Sequence, residues 1–169
     1  LRFRHVNVVS FHVTKCNQVD HFHEICIVGG GPAGIATALS LLKRGIKSTV
    51  LEADATVRLK VGETLPPAAM SVFRTLEIEG LLSNPAHAPC YGNSWLWGND
   101  AIQDKHFMQH AGGNGWHLQR GTFEEELLRL AQERGIQVIQ DAKVMQVQPG
   151  EKGWKLQLKV GGKETTMET

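Results

Sequence analysis

Cysteine is scarce in this chain: three occur among 169 residues, Cys16, Cys26 and Cys90, an odd number with no C-x-x-C pair. That excludes a disulfide framework and points to a reducing, cytoplasmic compartment. An excess of charge of one sign is also lacking, since the formal net charge is +1. Neither nucleic acid nor an anionic membrane surface is therefore expected as a partner. No apolar run approaches the roughly 18 residues of a membrane helix, and the first residues lack the basic-then-apolar pattern of a secretory leader. An initiating methionine is missing too: the chain starts at Leu1 and stops at Thr169 within what reads as a sheet. The expectation is an N-terminal part of a longer protein. What remains, 41% hydrophobic and 21% charged, is ordinary for one globular core.

Residues 1–23 read differently from the rest and are expected to be a poorly ordered extension. Four of the eight histidines, His5, His12, His21 and His23, fall there. No second ligand pair follows Cys16, His21 and His23 at a finger-like spacing, so no metal is expected.

From Glu24 the pattern becomes regular. Glu24 to Val28 is a short apolar strand that stops at a glycine cluster, Gly29-Gly30-Gly31-Pro32-Ala33-Gly34. Ala33 to Arg44 follows as an amphipathic helix, with Ile35, Ala38, Leu39 and Leu42 on one face and Gly45 as its stop. Ser48 to Glu52 is a second strand with an acid at its end. Gly29, Gly31 and Gly34 have the G-x-G-x-x-G spacing of a dinucleotide site. The first permits the turn, the second lets backbone approach a pyrophosphate, and the third lets helix pack on strand. The helix N-terminus offers N–H groups to the anion, and Glu52 is placed for a ribose. A 2′-phosphate would call for an arginine near Glu52, yet Ala53, Asp54 and Ala55 follow. NAD and FAD stay open; NADP is disfavoured.

Farther on, residues 53–67 form a long polar loop with Arg58, Lys60 and Glu63, and Ala68 to Glu79 is a helix with Met70, Phe73, Leu76 and Ile78 inward. Asn84 to Asn93 reads as loop, and Ser94 to Trp97 as a strand with Trp95 and Trp97 on one face, either an aromatic wall or sheet packing. Gly112, Gly113 and Gly115 beside His106 and His110 argue against a helical ligand pair, so no metal is assigned. Trp116 to Gln119 is a strand. Thr122 and Glu125 then read as a capping box, with Glu124 to Glu126 suiting the positive helix end, and Gly135 closes that helix. Ile136 to Val147 reads as one strand. Trp154 to Val160 and Lys163 to Glu168, joined by Gly161-Gly162, complete a β-meander. The fold class is α/β: a three-layer, Rossmann-like FAD/NAD(P)-binding domain with a β-meander, of which 24–169 is expected to be the N-terminal part, truncated before the substrate domain.

Val61-Gly62-Glu63-Thr64-Leu65-Pro66-Pro67, with Gly29 to Gly34, Glu52 and His117-Leu118-Gln119-Arg120-Gly121-Thr122-Phe123, resembles the FAD-dependent monooxygenase superfamily of the para-hydroxybenzoate hydroxylase fold. Within it, the chain is similar to the branch of flavin-dependent tryptophan halogenases and of flavoproteins that modify protein side chains during quinone-cofactor maturation. The resemblance runs from about Glu24 to Val160. It implies FAD as cofactor, held by Gly29, Gly31, Pro32, Ala33, Gly34 and Glu52, with Arg58, Glu63 and Arg120 as outer contacts, and it identifies no catalytic residue. It implies an enzyme in which NAD(P)H, or a separate flavin reductase, supplies electrons, and oxygen is transferred to an aromatic or protein-bound aromatic substrate. Halogenases of this branch carry a lysine on the strand matching Ser94 to Trp97, whereas this chain has none between Lys60 and Lys105. That argues against halogenation. A reductase of the geranylgeranyl type, a halogenase in spite of the missing lysine, an NAD-binding dehydrogenase sharing only the fingerprint, and a non-catalytic cofactor-binding fragment are the alternatives.

Overall fold

A computed structural model describes residues 25–56, 60–98, 101–107, 110–151 and 153–169. The extension 1–23 and Arg58 lie outside the described residues. The central layer is a parallel sheet of β1 (Ile25–Val28), β2 (Ser48–Leu51) and β8 (Gln137–Ile139) in the order β1-β2-β8. All four residues of β2 are buried, as expected of a strand covered on both faces. Alternation along the strands divides two cores. Ile27, Val50 and Val138 meet helices α1 (Pro32–Leu42), α2 (Ala69–Leu76) and α3 (Arg120–Glu133) through Ile35, Leu39, Phe73, Phe123 and Leu127. Cys26, Leu51 and Ile139 face the other way and meet Leu156, Leu158 and Met167.

Those last residues belong to the antiparallel meander β9 (Ala142–Pro149), β10 (Trp154–Val160) and β11 (Lys163–Glu168). The β10–β11 turn puts Gly161 at φ 55° and Gly162 at φ 81°, the two left-handed residues that a two-residue hairpin requires. Helices, parallel sheet and meander make the three layers that the sequence implied. Cys26 packs as a small core residue, and burial pushes its thiol pKa up.

Several boundaries differ from expectation. Ile136 to Val147 is two strands, because Asp141 adopts a left-handed φ of 53° between β8 and β9 and lets the chain leave one sheet for the next. Asn84 to Asn93 is not all loop. After a 3-10 turn at Glu79–Ser83, β4 (Ala88–Cys90) pairs with β7 (Gly115–Leu118), whose other edge takes β3 (Glu63–Leu65) from the polar loop. The tryptophan strand is displaced: β5 (Gly92–Trp95) pairs with β6 (Gln103–His106), and Trp97 lies beyond its end. Trp95 is 41% and Trp97 85% exposed, so neither packs in the core of the described residues.

Helix C-termini converge on one point. Glu77, at φ 57°, ends α2. The carbonyls of Leu76 and Glu77 accept hydrogen bonds from Arg134 Nη1 and Nη2 at 2.7 and 2.6 Å, and Thr75 O accepts one from Lys43 Nζ at 2.6 Å. Arg134 follows α3 and Lys43 follows α1, so cations from two helices satisfy the orphan carbonyls of the third. Arg134→Met should lower stability by about 1–2 kcal/mol, read as a shift in urea midpoint without a change in slope.

Candidate functional site

The turn after β1 is built by close approach. Gly29 has φ 105°, a value open to glycine and strained for other residues, and its N–H donates to Leu51 O at 2.8 Å, extending the β1–β2 pairing. A Cβ on Gly34 would lie 2.0 Å from Gly29 O, whereas one on Gly31 would meet nothing within 4 Å. The third glycine of the fingerprint is thus needed for packing, and the second faces open space. Gly31 is the N-cap of α1, no side chain caps that end, and Pro32 occupies the first turn. Proline there gives up an N–H that has no intrahelical partner. Ala33 follows. An uncapped helix N-terminus beside an open glycine fits a dinucleotide phosphate.

Glu52 closes the turn from the side. Its Oε2 accepts the Gly30 N–H at 2.6 Å and its Oε1 the Asp54 N–H at 2.9 Å. Its own backbone is pinned between Ile139 O and Ala142 N, each at 2.8 Å. A carboxylate has about four acceptor positions, so two protein donors leave capacity for ribose hydroxyls. Gly30 and Glu52 share a pocket with Thr56, Lys60, Glu124, Leu128 and Gln140.

The outer residues form a charge cluster. Arg120 Nε donates to Glu124 Oε1 at 2.7 Å, Arg120 Nη1 lies 3.3 Å from Glu63 Oε2, and Lys60 Nζ pairs with the other oxygen of Glu124. The structure therefore brings Glu63 and Arg120 together, but through each other. Helix α3 begins at Arg120, earlier than the Thr122–Glu125 capping box implies. Gln119 is the cap, its side chain accepting the Thr122 N–H at 2.6 Å, and glutamine performs this by reaching back as serine would. With the start moved, Glu124 falls in the second turn with its side chain 5% exposed, instead of lying at the solvated helix end.

Burial pushes the Glu124 pKa up, but the hydrogen bonds from Lys60 and Arg120 and their charges outweigh it and hold the carboxyl below its ordinary 4.5. Just ahead of the helix, the Gln119 N–H donates to His87 Nδ1 at 3.2 Å. That leaves the proton on Nε2, which is buried without a hydrogen-bond partner, while the ring stands edge-on to Phe123 at 6.1 Å. Lys60, Glu124, Gln119 and His87 were not singled out as site residues from sequence. The i,i+4 spacing of Arg120 and Glu124 is the signal that marks their pair. Among the described residues no cluster of three His, Cys, Asp or Glu side chains could hold a metal, and no helix is long and apolar enough to cross a membrane.

A family model described as an FAD binding domain matches residues 23–169, and the chain belongs to that family; its cofactor is FAD. The chain is 31% identical over 138 residues to a putative FAD-dependent oxidoreductase, LodB, of Marinomonas mediterranea, covering 80% of this chain and 37% of that protein. It is 30% identical over 132 residues to the flavin-dependent halogenase armH3 of Armillaria mellea, covering 77% and 26%. The flavin-dependent halogenase CmlS superposes with a TM-score of 0.77 at 30% identity, over 88% of this chain and 28% of that one. The chain thus spans well under half the length of these relatives.

Two measurements test the site. Gly31→Ala should change stability by less than about 0.5 kcal/mol yet weaken FAD binding about tenfold, whereas Gly34→Ala should cost about 3 kcal/mol through overpacking. Calorimetry and flavin titration separate the two effects. Because the Glu124 pKa is lowered on folding, its contribution to stability is present above 4.5 and lost as pH falls below that value. Glu124→Gln should therefore flatten the acid limb of the stability curve below the ordinary carboxyl value of 4.5, measured by urea denaturation at each pH.

Proposed function

We propose that the chain is the cofactor-binding part of an FAD-dependent oxidoreductase that uses molecular oxygen on an aromatic or protein-bound aromatic substrate. When bound, FAD supplies the redox chemistry, and the protein contributes binding and orientation. Gly31, Ala33 and Gly34 would offer backbone N–H groups to the diphosphate, with Gly29 making the turn and Pro32 starting the helix; Glu52 would accept hydrogen bonds from the adenosine ribose, and Arg120 would meet the phosphates beside Glu63. Arg58 joins this set on the strength of the family resemblance. Electrons come from NAD(P)H or through a separate flavin reductase.

The observation that carries oxygen transfer over halogenation is β5: its residues, Gly92-Asn93-Ser94-Trp95, contain no amine to hold an oxidised halide. Halogenation is the second reading, supported by the names of two of the three relatives. It is also supported by β6, which sets Lys105 directly opposite Asn93 and so brings a lysine to the same ribbon from the neighbouring strand.

The test uses the full-length protein that contains this chain. Heat-denatured protein should release FAD. With NAD(P)H or a flavin reductase, oxygen, a halide salt and a panel of phenols and indoles, mass spectrometry should show one added oxygen atom. Replacement of hydrogen by halogen, abolished by Lys105→Met, would establish the second reading instead. Flavin turnover with a hydrogenated product and no oxygen incorporation would indicate the reductase type.

A further inference from the structure

The arginine at the head of α3 has two carboxylate neighbours of very different standing. Glu124 is 5% exposed, lies 2.7 Å from Arg120 Nε and is held from its other oxygen by Lys60. Displacing it would strand a buried charge, which is strongly unfavourable. Glu63 is 54% exposed and 3.3 Å from Nη1, beyond the usual length of a charge-assisted hydrogen bond. An exposed pair of that kind contributes little and is easily exchanged. Backbone pairing fixes Glu63 opposite Leu118 in the β3–β7 ladder, so its side chain can turn to solvent without moving the strand. The guanidinium stays charged, since the Glu124 hydrogen bond and the nearby Glu63 charge both raise its pKa.

We propose that Arg120 has one permanent and one exchangeable carboxylate: Glu124 is a positioning residue that fixes the guanidinium, and Glu63 covers it until a phosphate of the cofactor takes that place. The inference deepens the FAD reading above and rests on it. Each phosphate of a dinucleotide diphosphate bears a full charge and presents two free oxygens to the planar fork. It also approaches the N-terminal end of α3, where the helix dipole favours an anion. Glu63 is repelled by that anion and leaves, whereas Glu124, shared with Lys60, has no reason to. Lys60 belongs to the loop that follows β2, so the same carboxylate ties that loop to α3 beside the pocket of Gly30 and Glu52.

The test is a titration of wild type, Glu63→Gln, Glu124→Gln and the Arg120→Met forms of each with FAD and, separately, with riboflavin, which has no phosphate. Glu63→Gln, at an exposed position that leaves the fold intact, should tighten FAD about fivefold and leave riboflavin unchanged. Glu124→Gln should weaken FAD about tenfold. Both effects should vanish once Arg120 is methionine. Unchanged or weaker FAD binding by Glu63→Gln, an equal gain for riboflavin, or a Glu124→Gln loss that persists in Arg120→Met would overturn the proposal. A wild-type chain that binds riboflavin and FAD with equal affinity would overturn the exchange while leaving flavin binding in place; one that binds neither would sink the FAD reading and this inference with it.

Discussion

The contact on which the remainder depends is the one between α1 and the end of β1, where Gly34 lies so near Gly29 O that a methyl group would sit 2.0 Å from the oxygen. Only with that approach does the helix start directly beneath the strand, leaving its uncapped N–H groups beside the open Gly31. Only then can Glu52, at the end of the adjacent strand, reach the Gly30 N–H. The two requirements are coupled: glycine at 34 brings helix to strand, glycine at 29 lets the backbone turn there, and the carboxylate fixes the result. Function enters at Gly31, where the packing makes no demand.

This part of the molecule was legible in the sequence because its signals are local. The period of Ile35, Ala38 and Leu39, the four-residue apolar strands and the glycine spacing each act within a few residues. The meander was legible for the same reason. Elements built by distant pairing were not. β3 and β4 are three residues long and exist because β7, far along the chain, pairs with both. Polar and proline-bearing segments such as Glu63-Thr64-Leu65 and Ala88-Pro89-Cys90 carry too little periodicity to declare themselves. Asp141 shows the limit of composition, since one left-handed residue divided a run of well-alternating residues into strands of two sheets.

Burial of charge was the other blind spot. Glu124, Glu125 and Glu126 look equivalent in sequence, three acids near a helix start. Their fates differ because rotation about the helix axis turns Glu124 toward Lys60 and Arg120, and Glu126 toward Asn84, whose amide donates to it at 2.7 Å. Locating the helix start decides which acid turns inward. An error of three residues there, serine-like capping at Thr122 instead of glutamine capping at Gln119, is enough to leave the buried acid looking like surface.

The two ends of α3 use charge in opposite ways, and the contrast explains why the site can be both rigid and responsive. At the C-terminal end Arg134 donates to backbone carbonyls of α2; carbonyls cannot leave, so the three helices are locked together there. At the N-terminal end the partners are side chains, one buried and one exposed. Polar interactions with buried charged groups are worth several times those of exposed pairs, so the N-terminal cluster divides into a fixed part, Lys60–Glu124–Arg120, and a loose part, Glu63. Arg120 needs both properties. A guanidinium free on all sides would spend binding energy on being ordered, and one fully paired with carboxylates would have no charge left for an anion. Holding Nε with a buried acid while leaving the Nη groups to an exposed one supplies a pre-oriented cation whose remaining partner is weak.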